Sequence, residues 1–153
     1  MTNTHYKKLE KIYLNANLNK EIYSNTEILI SKNYSEIKMP IKKDYYHALE
    51  AIHGSVYFKM LDDAAFFAAQ SVVEDYMLLT ASFNITFKMP VKNGYIKSTG
   101  TLCSISKKEF TAESKMYNSK NELVAFGNGI FKKSKISIDS IKNDYINGSW
   151  NAP

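Results

Sequence analysis

Arginine is absent from this chain of 153 residues: all twenty basic side chains are lysine, against fifteen acids, for a net charge of +5. A positive balance built only from lysine lacks the rigid bidentate fork that grips phosphates and base edges, so nucleic acid is not an expected partner. Four lysine doublets, Lys7-Lys8, Lys42-Lys43, Lys107-Lys108 and Lys132-Lys133, stand out from a scattered pattern and leave room for a small polyanionic ligand. Cysteine occurs once. Cys103 therefore forms no disulfide within the chain, and its place in a strand-like run leads us to expect a small buried side chain. No apolar stretch reaches the length of a membrane span or of a signal peptide, which points to a cytoplasmic protein with no membrane partner. The three histidines have no compact spacing to cysteine or acid, so no metal site is expected.

Hydrophobic residues make up 44% of the sequence, enough for one core, and the expected organisation is a single domain over residues 1–153 with its core at about 26–134. Leu9, Ile12, Tyr13 and Ala16 recur at helical spacing and predict a short N-terminal helix packed as a lid. Thr26 to Met39 reads as one strand closed by Pro40. Val56, Tyr57, Met60, Leu61, Ala64, Ala65, Phe67 and Ala68 form an apolar stripe at period 3.6, which predicts a long helix over Gly54 to about Val72. Alanines at 64, 65, 68 and 69 would let a sheet approach that helix closely.

Four strands are expected after the helix: Ser82 to Met89, Tyr95 to Ser104, Phe110 to Tyr117 and Leu123 to Phe131. In the first, Phe83, Ile85, Phe87 and Met89 share one face. The fold class is α+β, an antiparallel sheet wrapped around one long central helix. Residues 135–153 read as a polar tail.

The start of the long helix, His53-Gly54-Ser55, holds unpaired backbone N–H groups at the positive end of the helix dipole, where a glycine lets a ligand oxygen come close. An arrangement of this kind suits a developing oxyanion, although Gly54 also fits a plain loop-to-helix turn. On the helical wheel Asp63 shares a side with Lys59 and Gln70, which predicts a solvated polar stripe. Asp62 falls instead at the edge of the apolar face, beside Ala65, Ala69 and Phe66. A carboxylate there is either capped for structure or poised with a raised pKa as a base. Gly54 and Asp62 lie eight residues apart, roughly 12 Å along one helix, so a single bound carbonyl cannot touch both. A site using both groups needs two copies with their helices antiparallel across a two-fold axis.

The run from His53-Gly54-Ser55 to Leu61-Asp62-Asp63-Ala64 resembles the H-G-G-x-x-x-x-L-x-D-x-A signature of hotdog thioesterases of the phenylacetate-pathway (PaaI-like) type. Ser55 replaces the second glycine, and Met60 stands where the family's leucine precedes the acid. Leu79 to Gly94 and Asn121-Glu122-Leu123-Val124-Ala125 continue the resemblance, which covers roughly residues 45–132. It implies that Asp62 activates water or attacks a thioester and that the Gly54 N–H polarises the carbonyl. Thr80 would orient the water, while His53 would support the helix entry and the carbonyl site. Where the family commonly carries a carbonyl-binding asparagine, six residues before His53, this chain has His47, whose imidazole N–H offers a donor of different reach and charge. Loop histidines satisfied by backbone groups are the plainer reading of both residues.

The implied activity is hydrolysis of an acyl-CoA by a homodimer or a dimer of dimers, with Ser55, Lys107 and Lys108 touching substrate and Lys132 and Lys133 as further candidates for the coenzyme's phosphates. No cofactor is implied, coenzyme A entering only as part of the substrate. Phe58, Phe66, Phe67 and Tyr45-Tyr46 are candidates to line the acyl pocket. The alternative is a hotdog protein that binds acyl-CoA or fatty acid without hydrolysing it. The hydratase branch of the same fold places its histidine elsewhere.

Overall fold

The computed structural model describes residues 3–147. The chain runs through helix α1 (Asn3–Asn15), a π-type turn (Leu18–Ile22), strands β1 (Glu27–Ser31) and β2 (Tyr34–Pro40), helix α2 (Gly54–Gln70), strands β3 (Tyr76–Phe87), β4 (Tyr95–Ser106), β5 (Glu109–Asn118) and β6 (Leu123–Ser137), and helix α3 (Asn143–Asn147). The six strands form one antiparallel sheet in the order β1-β2-β4-β5-β6-β3, with β4, β5 and β6 as a meander and β3 at an edge. The sheet curls around α2, whose Met60, Leu61, Ala64, Ala65, Ala68 and Ala69 are wholly buried. This is the hotdog architecture expected from the sequence. Trp150 lies outside the described residues.

Close approach of helix and sheet follows from small side chains on both. A Cβ placed at Gly100 on β4 would lie 2.0 Å from the Ala64 carbonyl oxygen, so any larger residue there would push the helix away. Two sheet serines use that proximity. Ser35 Oγ donates to the Ala64 carbonyl at 2.6 Å and Ser114 Oγ to the Leu61 carbonyl at 2.8 Å, pinning the rotation and height of α2 on either side of Asp62.

Four expectations are corrected. The Thr26–Met39 segment is a hairpin, not one strand: Asn33, at φ 63°, makes the turn in the left-handed region that asparagine tolerates, without the glycine or proline that marks most turns. The first strand after α2 begins at Tyr76, six residues before Ser82, because register shifts between Tyr76 and Leu78 and between Thr80 and Ser82 break its alternation. Cys103 is exposed rather than buried: it is the extra residue of a bulge between Leu102 and Ser104 and drops out of the inward row. Helix α1 is part of the core and not a lid. Leu9 and Tyr13 are buried, and Glu10, also buried, accepts the Ile30 N–H of edge strand β1 at 2.9 Å while pairing with Lys7. Burial also reaches the tail, where Ile138 is 1% exposed.

The two edges of the sheet differ. Helix α1 packs along β1. On β3, by contrast, Leu79 and Phe87 are more than half exposed, and Phe58 of the adjacent α2 face is 43% exposed. Among the described residues no helix is long and apolar enough to cross a membrane.

Candidate active site

His53 is the N-cap of α2. In extended conformation (φ −66°, ψ 149°), it turns its ring so that Nδ1 accepts the Ser55 N–H at 3.0 Å and lies 2.8 Å from the Ser55 hydroxyl. This cap consumes the Ser55 N–H, and places the proton of the neutral ring on Nε2. The Gly54 N–H, one position earlier, has no acceptor among the described residues. Gly54 is not required by the fold: its φ is not in the left-handed region, and an added Cβ would make ordinary contact with the Phe87 ring at 3.5 Å. The turn reading of this glycine therefore fails, and access to its N–H remains.

Gly54 lines a hollow of ≈340 Å³ together with His47, Ile52, Tyr57, Phe87 and Met89. His47 Nδ1 accepts the Leu49 N–H at 3.1 Å, so the Nε2–H of the neutral ring is its donor, and the His47 and His53 rings stand 6.4 Å apart. The hollow thus holds a helix-end N–H and an imidazole. Ser55 is exposed and is not among its lining residues.

Two turns further along α2, Asp62 and Thr80 belong to a second, larger cleft of ≈470 Å³. Thr80 Oγ1 donates to Asp62 Oδ1 at 3.0 Å. The β3 bulge makes this contact. With strict alternation Thr80 and Phe83 would point to opposite faces, but the extra residue at Ala81 changes the parity, so Leu78, Thr80, Phe83 and Ile85 all face α2. Desolvation by the surrounding apolar wall pushes the Asp62 carboxyl up to about 6, opposed by the Thr80 hydrogen bond; Asp63 adds to the rise and Lys59 counters it. An acid with such a pKa is ionised near neutral pH yet basic enough to take a proton from water.

Asp63 and Gln70 depart from the expected solvated stripe. Asp63 pairs with the Lys59 ammonium and accepts the Tyr13 hydroxyl at 2.9 Å, while Lys59 also lies 3.0 Å from that hydroxyl, so α1 covers the pair. Burial, with the Asp63 carboxylate beside it, pushes the Tyr13 phenol far above its usual range and keeps it a proton donor. Gln70 is fully buried: its Oε1 accepts the Leu78 N–H at 2.7 Å and its Nε2 donates to the Val73 and Tyr76 carbonyls, fixing the turn that launches β3 toward Thr80. Side chains that reach buried backbone groups across a tight turn look, on a helical wheel, like ordinary surface polarity.

Of the remaining candidates, Lys107 is exposed in the β4-β5 turn at φ 52°, and Lys108 lines a hollow of ≈560 Å³ with Tyr76, Lys133, Ser134 and Lys135. Lys133 is paired with Asp75 and Lys132 with Glu109. Phe66 and Phe67 line the Asp62 cleft; Phe58, Tyr45 and Tyr46 do not.

Residues 49–125, half of the chain and the span that holds Gly54, Asp62 and Thr80, match the model of the thioesterase superfamily. The chain belongs to that superfamily. Among solved structures, this thioesterase-superfamily chain is similar to the PaaI protein of the E. coli phenylacetic acid degradation operon, with a TM-score of 0.77 at 16% identity over 87% of this chain and 95% of that one. It is also similar to a thioesterase of Haemophilus influenzae, with a TM-score of 0.73 at 14% identity over 90% and 93% of the two chains. At these identities the likeness is one of fold. No curated protein sequence matches the chain. Superfamily and fold together support thioester hydrolysis as the general chemistry.

Proposed function

We propose that the protein hydrolyses acyl-CoA thioesters as a homodimer, with the Gly54 end of α2 in one subunit facing Asp62 of the other. Asp62 is the general base. It takes a proton from water as the water oxygen attacks the thioester carbon; the carbonyl electrons move to an oxyanion held by the Gly54 N–H and the His47 Nε2–H. When the carbonyl reforms, the C–S bond breaks and the coenzyme thiolate leaves, picking up a proton. Thr80 holds the carboxylate so that its other oxygen faces the water. His53 keeps the Gly54 N–H in place by capping the helix.

The observation that carries this reading is the Asp62–Thr80 pair: a carboxylate with its pKa raised to about 6, on the rim of an apolar cleft and tied to a neutral hydroxyl. Two separate hollows on one helix, one at Gly54 and one at Asp62, support a composite site. The exposed apolar residues of β3 and α2 supply the surface on which a second copy would dock, two-fold pairing of β3 edges laying the two α2 helices antiparallel. Lys108, with Lys133 and Lys135, is the proposed seat of the coenzyme's phosphates, beside Tyr76, which lies four positions along β3, about 13 Å, from Thr80. Ser55 and Lys107 take peripheral roles at most, since Ser55 serves the cap and Lys107 faces water.

A thiol-release assay over a panel of acyl-CoA esters tests the proposal. Asp62→Asn should leave a folded protein with turnover lower by about 10²- to 10⁴-fold, the usual contribution of a general base. Undiminished hydrolysis would remove Asp62 from the mechanism. The alternative, binding without hydrolysis, rests on His47 in place of the family's asparagine; stoichiometric binding of the esters with no thiol release would establish it.

A further inference from the structure

The cleft beside Asp62 is lined by residues of α1, α2 and β3, and apart from Asn19, Thr80, Tyr13 and the charged groups of α2 its lining is apolar. Ile12 of α1, Leu18 of the π-type turn and Ala16 between them line it from the N-terminal segment, and Phe66 and Phe67 line it from α2. Leu79 of β3 and Ile136 of β6 complete the far side. Lys59, the one cation among the described residues that line it, is already engaged by Asp63 and the Tyr13 hydroxyl, so no free positive charge faces the space and the Asp62 carboxylate is its one unpaired charge.

We infer that this cleft is the acyl pocket and that it selects uncharged aliphatic acyl groups of medium length, with the N-terminal segment setting the length. The inference rests on the reading of Asp62 as the base, because the carbonyl must lie at that carboxylate for the tail to enter here. A methylene takes up about the space of a water molecule, ~30 Å³, so a cleft of ≈470 Å³ would take about sixteen if fully enclosed; because it is open along one side, roughly half to three-quarters of that space is lined by protein, room for a tail of roughly eight to twelve carbons. An acyl group ending in a carboxylate would bury a charge against isoleucine and phenylalanine without a counter-ion. Aliphatic side chains from three elements fit a flexible chain better than they fit a flat ring, which would leave gaps along the cleft.

Ala16 is the residue on which the length limit turns. It is small and half-buried and lines the cleft from a different element than Asp62 and Thr80, so a large side chain there would take up space in the cleft. Ile136 offers the same test from the opposite wall and is 48% exposed, which makes substitution tolerable to the fold.

The experiment measures kcat/KM for straight-chain acyl-CoA esters from acetyl to palmitoyl, with phenylacetyl-CoA and glutaryl-CoA alongside, for the wild-type protein, Ala16→Phe and Ile136→Trp. Wild type should peak in the medium range, and glutaryl-CoA should be slower than its uncharged counterpart of equal length by about 100-fold or more. Each variant should shift the optimum to shorter chains, lowering the decanoyl-to-butyryl ratio at least tenfold. If either wall variant folds and keeps the wild-type chain-length profile, the pocket assignment is overturned. A wild-type preference for phenylacetyl-CoA, acetyl-CoA or palmitoyl-CoA overturns the medium-chain assignment. Failure of the underlying base assignment looks different: Asp62→Asn would then hydrolyse every ester as fast as wild type.

Discussion

Thr80 Oγ1 sits 3.0 Å from Asp62 Oδ1, a bond that joins the central helix to a bulge in an edge strand. The helix side of this contact is fixed by Ser35 and Ser114 through the carbonyls of Ala64 and Leu61, and the strand side by Gln70 through the Leu78 N–H. Three buried hydrogen bonds and this exposed one therefore converge on the placement of one carboxylate, a concentration of polar structure that packing alone does not demand.

The raised pKa of Asp62 sets the pH dependence of turnover. Only the ionised carboxylate accepts a proton, so kcat/KM should be low below pH 5, rise through an apparent pKa of about 6 and level off above 7. Replacing Thr80 by valine removes the hydrogen bond that holds the pKa down, and the inflection in a pH-rate profile should move upward. A profile that is flat from pH 5 to 8 would show that Asp62 is not the titrating base.

The same shift makes an opposite prediction for stability. The Asp62 carboxyl has a higher pKa folded than unfolded, so between about pH 4 and 6 the native state binds more protons and stability falls as pH rises through that window. Above pH 6 the full penalty is present. At 1.36 kcal/mol per unit, discounted for partial exposure, it is on the order of 2 kcal/mol. Asp62→Asn should therefore raise Tm at pH 7.5 by several degrees, with the gain disappearing at pH 4. Thermal melts at the two values check it.

At the other end of the helix a proline substitution isolates one backbone group. Gly54 is the first helical residue, where proline is tolerated, and His53 already has the extended ψ of 149° that a following proline requires. Gly54→Pro should fold with a Tm near wild type while kcat falls by about 10²- to 10³-fold, the usual cost of losing an oxyanion donor. Circular dichroism with the thiol-release assay reads both quantities.

The central helix and the short N-terminal helix were legible in the sequence because each follows one uninterrupted period, and the meander because turn residues bracket its strands. The same rule failed wherever the period breaks. Ala81 and Cys103 each add one residue to a strand, and a method that counts alternate positions then assigns the residues beyond the bulge to the wrong face. Asn33 turns the first hairpin with a residue type that is common in strands' flanks as well as in turns. At the site, Asp62 was distinguishable from Asp63 by its place on the wheel, but the enclosure of Asp63 by Tyr13 depends on a contact fifty residues away in sequence. Gln70 was invisible for the same reason, its partners lying across the turn into β3.

A composite site is tested most directly by mixing two inactive proteins. Asp62→Asn lacks the base but keeps the Gly54 N–H; Gly54→Pro keeps the base but lacks the N–H. If each catalytic centre takes Gly54 from one subunit and Asp62 from the other, refolding the two together in equal amounts puts both variants in half of the dimers, and each of those has one complete centre. Activity should return to about a quarter of wild type, because one centre in two is whole in half of the population. A mixture no more active than the sum of its two components would mean that Gly54 and Asp62 do not serve one carbonyl from opposite subunits.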